Sequence, residues 1–178
     1  MDFELKIASD DREMQQIFSL NHRTFAEEIP QHDRQDSGLL EDAFHPNNTY
    51  LVAKHRQEVV GMVSLSDTRP FSLDRKLLDL DHYLPQHQHP VEIRLLALLP
   101  AYRGTSLFGE LLGFLFQVTE ARGYDLALIS GTTRQLRLYR KLGFEAFGPL
   151  VGKVSARYQP MFLTLDRHQS VRQQLVLP

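Results

Sequence analysis

The chain has 178 residues, a formal net charge of −2 and no cysteine. This length suits one compact domain, and a hydrophobic share of 42% argues against disorder. The charged residues are scattered, so no basic patch points to nucleic acid or to an anionic membrane surface. The lack of cysteine excludes disulfides, a thiolate nucleophile and cysteine-based zinc sites.

We predict no metal site. His82, His87 and His89 are close in sequence, but no carboxylate or cysteine cluster accompanies them, so a solvated loop is the better interpretation. The start of the chain lacks the cationic and apolar runs of a signal peptide. The apolar stretch 107–118 is too short to span a bilayer. We therefore expect a cytoplasmic protein without a membrane span.

Hydrophobic patterns predict strands and helices in the first half of the chain. Residues 3–7 alternate as a short strand, and Ser9 or Asp10 caps a helix that Pro30 ends. A helical turn is expected near residues 39–44. Two further strands, at residues 50–54 and 59–65, are joined by a tight polar connection, which predicts an antiparallel hairpin.

Residues 67–90 are predicted to be a long excursion that contains a short helix over residues 72–81. The next strand covers residues 91–99. One face carries Val91, Ile93, Leu95, Ala97 and Leu99, and the other carries Glu92, Arg94, Leu96 and Leu98.

A strongly apolar helix follows, capped by Thr105 or Ser106 and stopped by Gly123. Residues 124–130 form a buried strand. Thr132 and Gln135 have the spacing of a capping box, which opens a helix that a glycine closes at position 143. A last strand at residues 158–165 completes a mixed α/β sheet. We predict one domain over residues 1–166 and a short C-terminal tail over residues 167–178.

Two short sequence motifs carry chemical information. In the first, Pro100, Tyr102, Arg103 and Gly104 lead from a strand through a turn into a helix. Free N–H groups at a helix start, with a cation beside them, can bind an anion such as a pyrophosphate. An ordinary strand–turn–helix corner is the alternative. The second motif is Tyr139 followed by the Gly-Phe pair 143–144. The alternative interpretation of this motif is an ordinary helix C-cap.

Together, in this order, the two motifs resemble those of the GNAT superfamily of N-acyltransferases. The resemblance implies the acyl-CoA N-acyltransferase fold, a mixed and mostly antiparallel sheet flanked by helices. It implies that the turn and helix start hold coenzyme A, and that Tyr139 lies near the thioester sulfur as a candidate general acid. The cofactor-binding residues that we predict are Leu96, Leu98, Arg103, Gly104, Thr105, Ser106, Leu107 and Phe108. The family prefers smaller residues where this chain has Ser106 and Phe108.

A second resemblance concerns the segment 21–28, which is similar to the start of acyl-homoserine-lactone synthases and long-chain N-acyl amino acid synthases. Arg69-Pro70-Phe71 and Glu92-Ile93-Arg94 are similar to them as well. This resemblance implies an acyl carrier protein as an alternative donor. The substrate-binding residues that we predict from it are Arg23, Phe25, Glu28 and Arg94. The shorter Glu-x-Arg spacing, together with Ser64 in place of an arginine, argues against a lactone synthase.

The attacking amine must lose a proton, and Glu92 is the first candidate for the base. The alternative is an ordinary side-chain pair of Glu92 with Arg94. Glu27 and Glu28 are second candidates, with a solvated helix end as their alternative. Tyr139 is a candidate to protonate the leaving thiolate, and backbone N–H groups near Leu98 are candidates to polarise the thioester carbonyl.

We therefore predict an N-acyltransferase that moves an acyl group, in the first instance acetyl, from acetyl-CoA, another acyl-CoA or acyl carrier protein. The acceptor is a small amine or amino acid, and a homodimer is a further prediction. Two rival functions are a non-catalytic acyl-CoA-binding or regulatory module, suggested by Phe108, and a scaffold that works beside a separate aminotransferase.

Overall fold

The computed structural model describes residues 2–154 and 156–176, with side chains up to residue 171. The chain forms two compact units. The first unit comprises Met1–Ser66 and Ile93–Arg122, and the second comprises Asp67–Glu92 and Gly123–Pro178. One strand, Pro90–Leu98, contributes its first residues to the second unit and the rest to the first.

The strands of the first unit are β1 (Glu4–Ile7), β2 (Thr49–His55), β3 (Glu58–Ser66) and β4 (Pro90–Leu98). They follow the order β1-β2-β3-β4, and the first two pairings are antiparallel. The predicted hairpin of β2 and β3 is therefore confirmed.

Two helices cover the strands of the first unit. Helix α1 (Asp11–His22) begins where the Asp10 carboxylate accepts the Glu13 N–H at 2.8 Å, as the sequence predicted. It continues into a π-helical segment, Arg23–Glu28, just before Pro30. Helix α2 (Leu107–Ala121) has Arg122 as its C-cap, and Gly123 follows in a left-handed conformation with φ +71°. The apolar side of α1 packs on β2, β3 and the end of β4. The core residues of this layer are Ile17, Leu20, Phe25, Tyr50, Val52, Val59, Met62 and Ala97.

The second unit contains β5 (Leu126–Thr132), β6 (Glu145–Ala146), β7 (Val151–Lys153) and β8 (Ala156–Thr164). Strand β5 is parallel to the start of β4 and antiparallel to β8, and β6 and β7 both pair with β8. The helices are α3 (Leu136–Lys141) and α4 (Leu165–Val176). The predicted α/β class, with a mixed and mostly antiparallel sheet flanked by helices, is confirmed.

The excursion between β3 and β4 supplies much of the core of the second unit. Phe71 and Leu73 pack against Leu126 and Leu128 of β5. The helix predicted over residues 72–81 is wrong. One turn forms after Leu73, Asp79 then takes a left-handed conformation with φ +57°, and a 3₁₀ turn follows at Leu80–Tyr83.

Two other local predictions are wrong. The helical turn expected at residues 39–44 is replaced by a 3₁₀ turn at His45–Asn47, because the Asp42 carboxylate accepts the Phe44 N–H and bends the chain there. Thr132 and Gln135 form no capping box. Neither side chain makes a capping hydrogen bond, and a 3₁₀ turn, Thr133–Gln135, leads into α3 instead.

The predicted alternation of side chains between the two faces of β4 holds at the end of the strand but not along its whole length. Leu95, Ala97 and Leu99 pack on the core beside α1, as expected for one strand face. Leu95 itself has φ +55°, a conformation that breaks the regular alternation in the middle of the strand.

Helix α4 covers most of the predicted tail, and residues 177–178 lie outside the described part of the chain. The domain boundary at residue 166 stays a prediction. Within residues 2–154 and 156–176, no helix has the length and apolar character to cross a membrane.

Candidate active site

The corner between β4 and α2 has the open shape that an anion site needs. A 3₁₀ turn, Pro100–Tyr102, leads to Arg103 and then to Gly104, whose φ of +83° disfavours other residues. The Thr105 hydroxyl donates to the Tyr102 carbonyl at 2.7 Å and accepts the Leu107 N–H at 3.3 Å. Thr105 therefore performs the capping that the sequence assigned to either Thr105 or Ser106.

The outer side of this corner is exposed. Gly104, Ser106 and Gly109 are exposed, and a side chain added at either glycine would meet no atom within 4 Å. The side chain of Ser106 makes no capping hydrogen bond. The Leu107 N–H donates to Thr105, but the N–H groups of Phe108 and Gly109 have no partners within the helix, so these two can donate to an anion. Phe108 is half-buried. The residues of the corner therefore fit a diphosphate.

Arg103 links the corner to the end of the π-helical segment. Its Nη2 atom donates to Glu28 Oε2 at 2.6 Å, and its Nε atom donates to the Leu98 carbonyl at 3.1 Å. Arg23 Nε lies 3.9 Å from the other Glu28 oxygen. The structure thus brings together three of the predicted residues, Arg23, Glu28 and Arg103. These side chains are substantially exposed, so the pairs add little stability but set the local charge.

Other predicted residues of the first unit serve packing. Leu107 is fully buried, and Phe25 lies in the core beside α1. Leu98 packs against β3 at Gly61, where an added Cβ atom would approach its Cδ2 atom to 2.7 Å. Leu96 is half-buried.

Arg94 belongs to a polar cluster that the sequence did not reveal. Its guanidinium donates to both carboxylate oxygens of Asp42, at 2.7 and 2.9 Å, and lies 4.7 Å from the centre of the Phe44 ring. Burial opposes ionisation of Asp42, but the bonds from Arg94 outweigh it and lower the pKa of this carboxyl. Asn48 donates to Asp42 at 2.9 Å and to the Tyr50 hydroxyl at 3.1 Å.

The loop before this cluster is held on the helix by two buried side chains. Asn21 donates to the Leu40 carbonyl at 2.7 Å, and His22 Nε2 accepts the Gln35 N–H at 2.9 Å. The other ring nitrogen of His22 lies 3.2 Å from Glu27. Asn21 and His22 belong to the segment whose family resemblance is stated above, and that resemblance was the available signal for them.

Glu92 lies in the second unit and is 1% exposed. Its Oε1 atom accepts from the Ser72 hydroxyl at 2.7 Å and from the Leu73 N–H at 3.1 Å, and its Oε2 atom accepts the Ser72 N–H at 2.8 Å. The carboxylate thus fixes the start of the excursion. These bonds satisfy the first N–H groups of a single turn, and the left-handed conformation of Asp79 prevents residues 72–81 from forming a continuous helix.

Tyr139 lies on α3, and its ring covers the backbone of β5. A Cβ atom added at Gly131 would lie 2.9 Å from Tyr139 Cδ2, so only glycine leaves room for the ring. Phe144 packs edge-on against the ring, with centroids 6.4 Å apart. Burial raises the pKa of the Tyr139 phenol, and hydrogen bonding with Thr132 partly offsets this effect. The side chain therefore carries its proton at neutral pH.

The described residues contain no group of three or more potential metal ligands. A shallow groove in the first unit is lined by residues of α1 and of the β2–β3 turn, including Arg12, His55 and Arg56, with Tyr102. It contains none of the predicted site residues, so we do not assign the active site to it.

Residues 14–144 match the acetyltransferase (GNAT) family. No significant match was found among curated proteins. Among solved structures, the chain is similar to BjaI, a CoA-dependent acyl-homoserine lactone synthase in complex with SAM and isopentyl-CoA, at 17% identity and a TM-score of 0.76. That likeness covers 99% of this chain and 91% of BjaI.

It is also similar to the AHL synthase LasI, at 16% identity and a TM-score of 0.79, over 96% of this chain and 94% of LasI. A further similar structure is FeeM, an N-acyl amino acid synthase from uncultured soil microbes. Its identity is 16% and its TM-score 0.78, over 98% of this chain and 97% of FeeM. At these identities the likeness shows the fold. The family match covers well over half of the chain, which therefore belongs to the acetyltransferase (GNAT) family and is an acyltransferase.

Proposed function

We propose that this acyltransferase moves an acyl group from an acyl-CoA or an acyl carrier protein thioester to the nitrogen of a small amine or amino acid. The observation that carries the proposal is the corner at the start of α2. Gly104 is left-handed there, the space beside it is open, and the Phe108 and Gly109 N–H groups of the first turn have no partner within the helix. A diphosphate or phosphopantetheine ester supplies the anion that such a corner binds.

Two of the similar structures support an acyl-CoA donor and an amino acid acceptor. BjaI is CoA-dependent and was solved with isopentyl-CoA, and FeeM is an N-acyl amino acid synthase. On that basis we propose an acyl-CoA as the donor and an amino acid as the acceptor for this chain. Acetyl is the first donor to test, and longer acyl groups follow. A cytoplasmic location and a homodimer stay predictions from the sequence.

The chemical step is aminolysis of a thioester. The amine lone pair attacks the carbonyl carbon, the amine proton passes to a base, the C–S bond breaks, and the thiolate receives a proton. We propose Glu92 as the base and Tyr139 as the acid that protonates the thiolate. The protonated state of Tyr139 at neutral pH suits this role. The backbone near Leu98 is the proposed source of donors for the carbonyl oxygen.

The function is tested by thiol release. The protein is incubated with acetyl-CoA, longer acyl-CoAs and acyl carrier protein thioesters, each with a panel of amines and amino acids. A thiol reagent then reports the free thiol, and the chain itself gives no background because it has no cysteine. We expect acceptor-dependent release with at least one donor. Release with none of them would refute the proposed function.

The role of Glu92 needs a test that separates proton transfer from its three hydrogen bonds. Glu92→Gln removes the base, and we expect kcat to fall by about 10²- to 10⁴-fold. Ser72→Ala removes the 2.7 Å bond from the Ser72 hydroxyl but keeps the carboxylate, and it should retain most of the activity. Equal losses in the two variants would make Glu92 a positioning residue, and a fully active Glu92→Gln enzyme would exclude Glu92 as the base.

A further inference from the structure

A polar cluster in the second unit, formed by Lys76, Ser130 and Tyr158, has no role in the mechanism above. Lys76 Nζ lies 3.4 Å from Ser130 Oγ and 5.5 Å from the centre of the Tyr158 ring. The Tyr158 hydroxyl oxygen is buried and has no hydrogen-bond partner among the described residues. A buried hydroxyl without a hydrogen-bond partner costs folding free energy, which indicates that this hydroxyl binds a polar group of a ligand.

The three side chains meet where an apolar sheet face becomes polar. Leu126, Leu128 and Ser130 alternate along one face of β5, and the two leucines are core residues. Tyr158 pairs with Thr132, which lies next on the same face. Ser130 and Tyr158 therefore mark the end of the buried apolar surface, and the exposed Lys76 side chain lies over them.

The position of Lys76 is fixed by its backbone. The turn that carries it is closed by the Lys76 and Leu77 N–H groups, which both donate to the Leu73 carbonyl, at 3.0 and 2.9 Å. The same turn is held at its start by Glu92 through Ser72 and Leu73. The buried carboxylate that holds this turn therefore also sets where the Lys76 ammonium can reach.

The cluster presents hydrogen-bond donors together with a positive charge. The ammonium of Lys76 has only donors, and the hydroxyl of Ser130 can donate. Burial raises the pKa of Tyr158 to about 12, so its hydroxyl keeps its proton at neutral pH. Lys76 is long and flexible, so its ammonium can move from the Tyr158 ring towards a ligand.

We infer that Lys76, Ser130 and Tyr158 bind the carboxylate of an amino acid acceptor. A carboxylate offers only acceptor oxygens and one negative charge, which match this set of donors. The inference rests on the proposed function and narrows it, because an amine without a carboxylate would leave the cluster without a ligand.

The test compares each amino acid with its amide, which keeps the amine and replaces the carboxylate by a neutral group. With the wild-type protein we expect a lower KM for the amino acid. Lys76→Gln should raise that KM by about 10- to 100-fold, the worth of a hydrogen bond to a charged group, and leave the KM for the amide unchanged. Lys153→Gln, on an exposed lysine of β7, is the matched control and should change neither KM. An equal effect of Lys76→Gln on both acceptors would overturn the inference.

A second measurement does not need turnover. Binding of an N-acetyl amino acid and of its methyl ester is followed by NMR titration of the wild-type protein, Lys76→Gln and Tyr158→Phe. We expect the acid to bind more tightly than the ester, and both variants to lose that preference without losing stability. Equal binding of acid and ester by the wild-type protein would overturn the inference. If thiol release fails with every donor while the acid still binds through Lys76, the proposed function fails and the carboxylate site stands.

Discussion

Glu13 gives the most quantitative prediction, because a single buried carboxylate joins three donors. It is 1% exposed and receives Lys6 Nζ at 2.8 Å, Lys54 Nζ at 2.9 Å and the Ser9 N–H at 2.9 Å. Burial opposes its ionisation, but these bonds outweigh burial and lower the pKa of Glu13 from 4.5 to about 2. Protonation should therefore weaken the attachment of α1 to β1 and β2.

The size of the effect follows from the two pKa values. Each pKa unit corresponds to about 1.36 kcal/mol, so ionised Glu13 contributes about 3 kcal/mol to the free energy of unfolding. Because the folded-state pKa is the lower one, this contribution is complete above pH 4.5 and is lost as the pH falls towards 2. We expect Glu13→Gln to lose a similar amount at pH 7.

The assay is urea unfolding of the wild-type protein and Glu13→Gln between pH 7 and pH 2. The difference between the two free energies isolates Glu13, since other carboxyls titrate in both proteins. We expect a constant difference down to about pH 4.5 and a steady decrease below it. A difference that is absent at pH 7, or that does not change with pH, would refute the reasoning.

Three further predictions concern the candidate site. Ser106→Asp should stabilise α2 by about 0.3–1 kcal/mol yet raise the KM for acyl-CoA about tenfold or more, because the added negative charge repels the diphosphate. The neutral Ser106→Asn should leave this KM unchanged. An unchanged KM in Ser106→Asp would show that the diphosphate does not bind at this corner. Gly131→Ala should displace the Tyr139 ring and lower kcat with little change in KM, as Tyr139→Phe should, and full activity of both variants would exclude Tyr139 as the acid. Asp42→Asn should cost about 3 kcal/mol or more of unfolding free energy, because Arg94 then lacks its buried partner; urea unfolding measures this loss, and a cost within error of zero would contradict it.

Local patterns predicted the elements whose formation depends on nearby residues. The hairpin of β2 and β3, the Asp10 cap of α1 and the glycine after α2 all depend on a few neighbouring positions, and all were confirmed. The corner at Gly104 was predicted for the same reason. Family resemblance added the roles of the site residues, which stay predictions.

The sequence did not reveal contacts between distant residues. Glu92 binds Ser72 twenty positions away, and Asp42 binds Arg94 from fifty-two positions away. Neither contact has a local pattern, although the first decides the path of the excursion. The short strands β6 and β7 were missed because they are only two and three residues long and depend on β8 for pairing.

The division of the chain into Met1–Ser66 with Ile93–Arg122, and Asp67–Glu92 with Gly123–Pro178, sets the order in which synthesis can complete each part. During translation, residues 67–92 are synthesised before residues 93–122, which complete the first unit. Residues 67–92 can pack into the second unit only after the residues from Gly123 onwards have been synthesised. A contiguous fragment that contains the whole first unit necessarily carries 67–92 as well. Neither half can therefore be expressed alone by simple truncation, and a nascent chain holds Phe71 and Leu73 without their β5 partners until late in elongation.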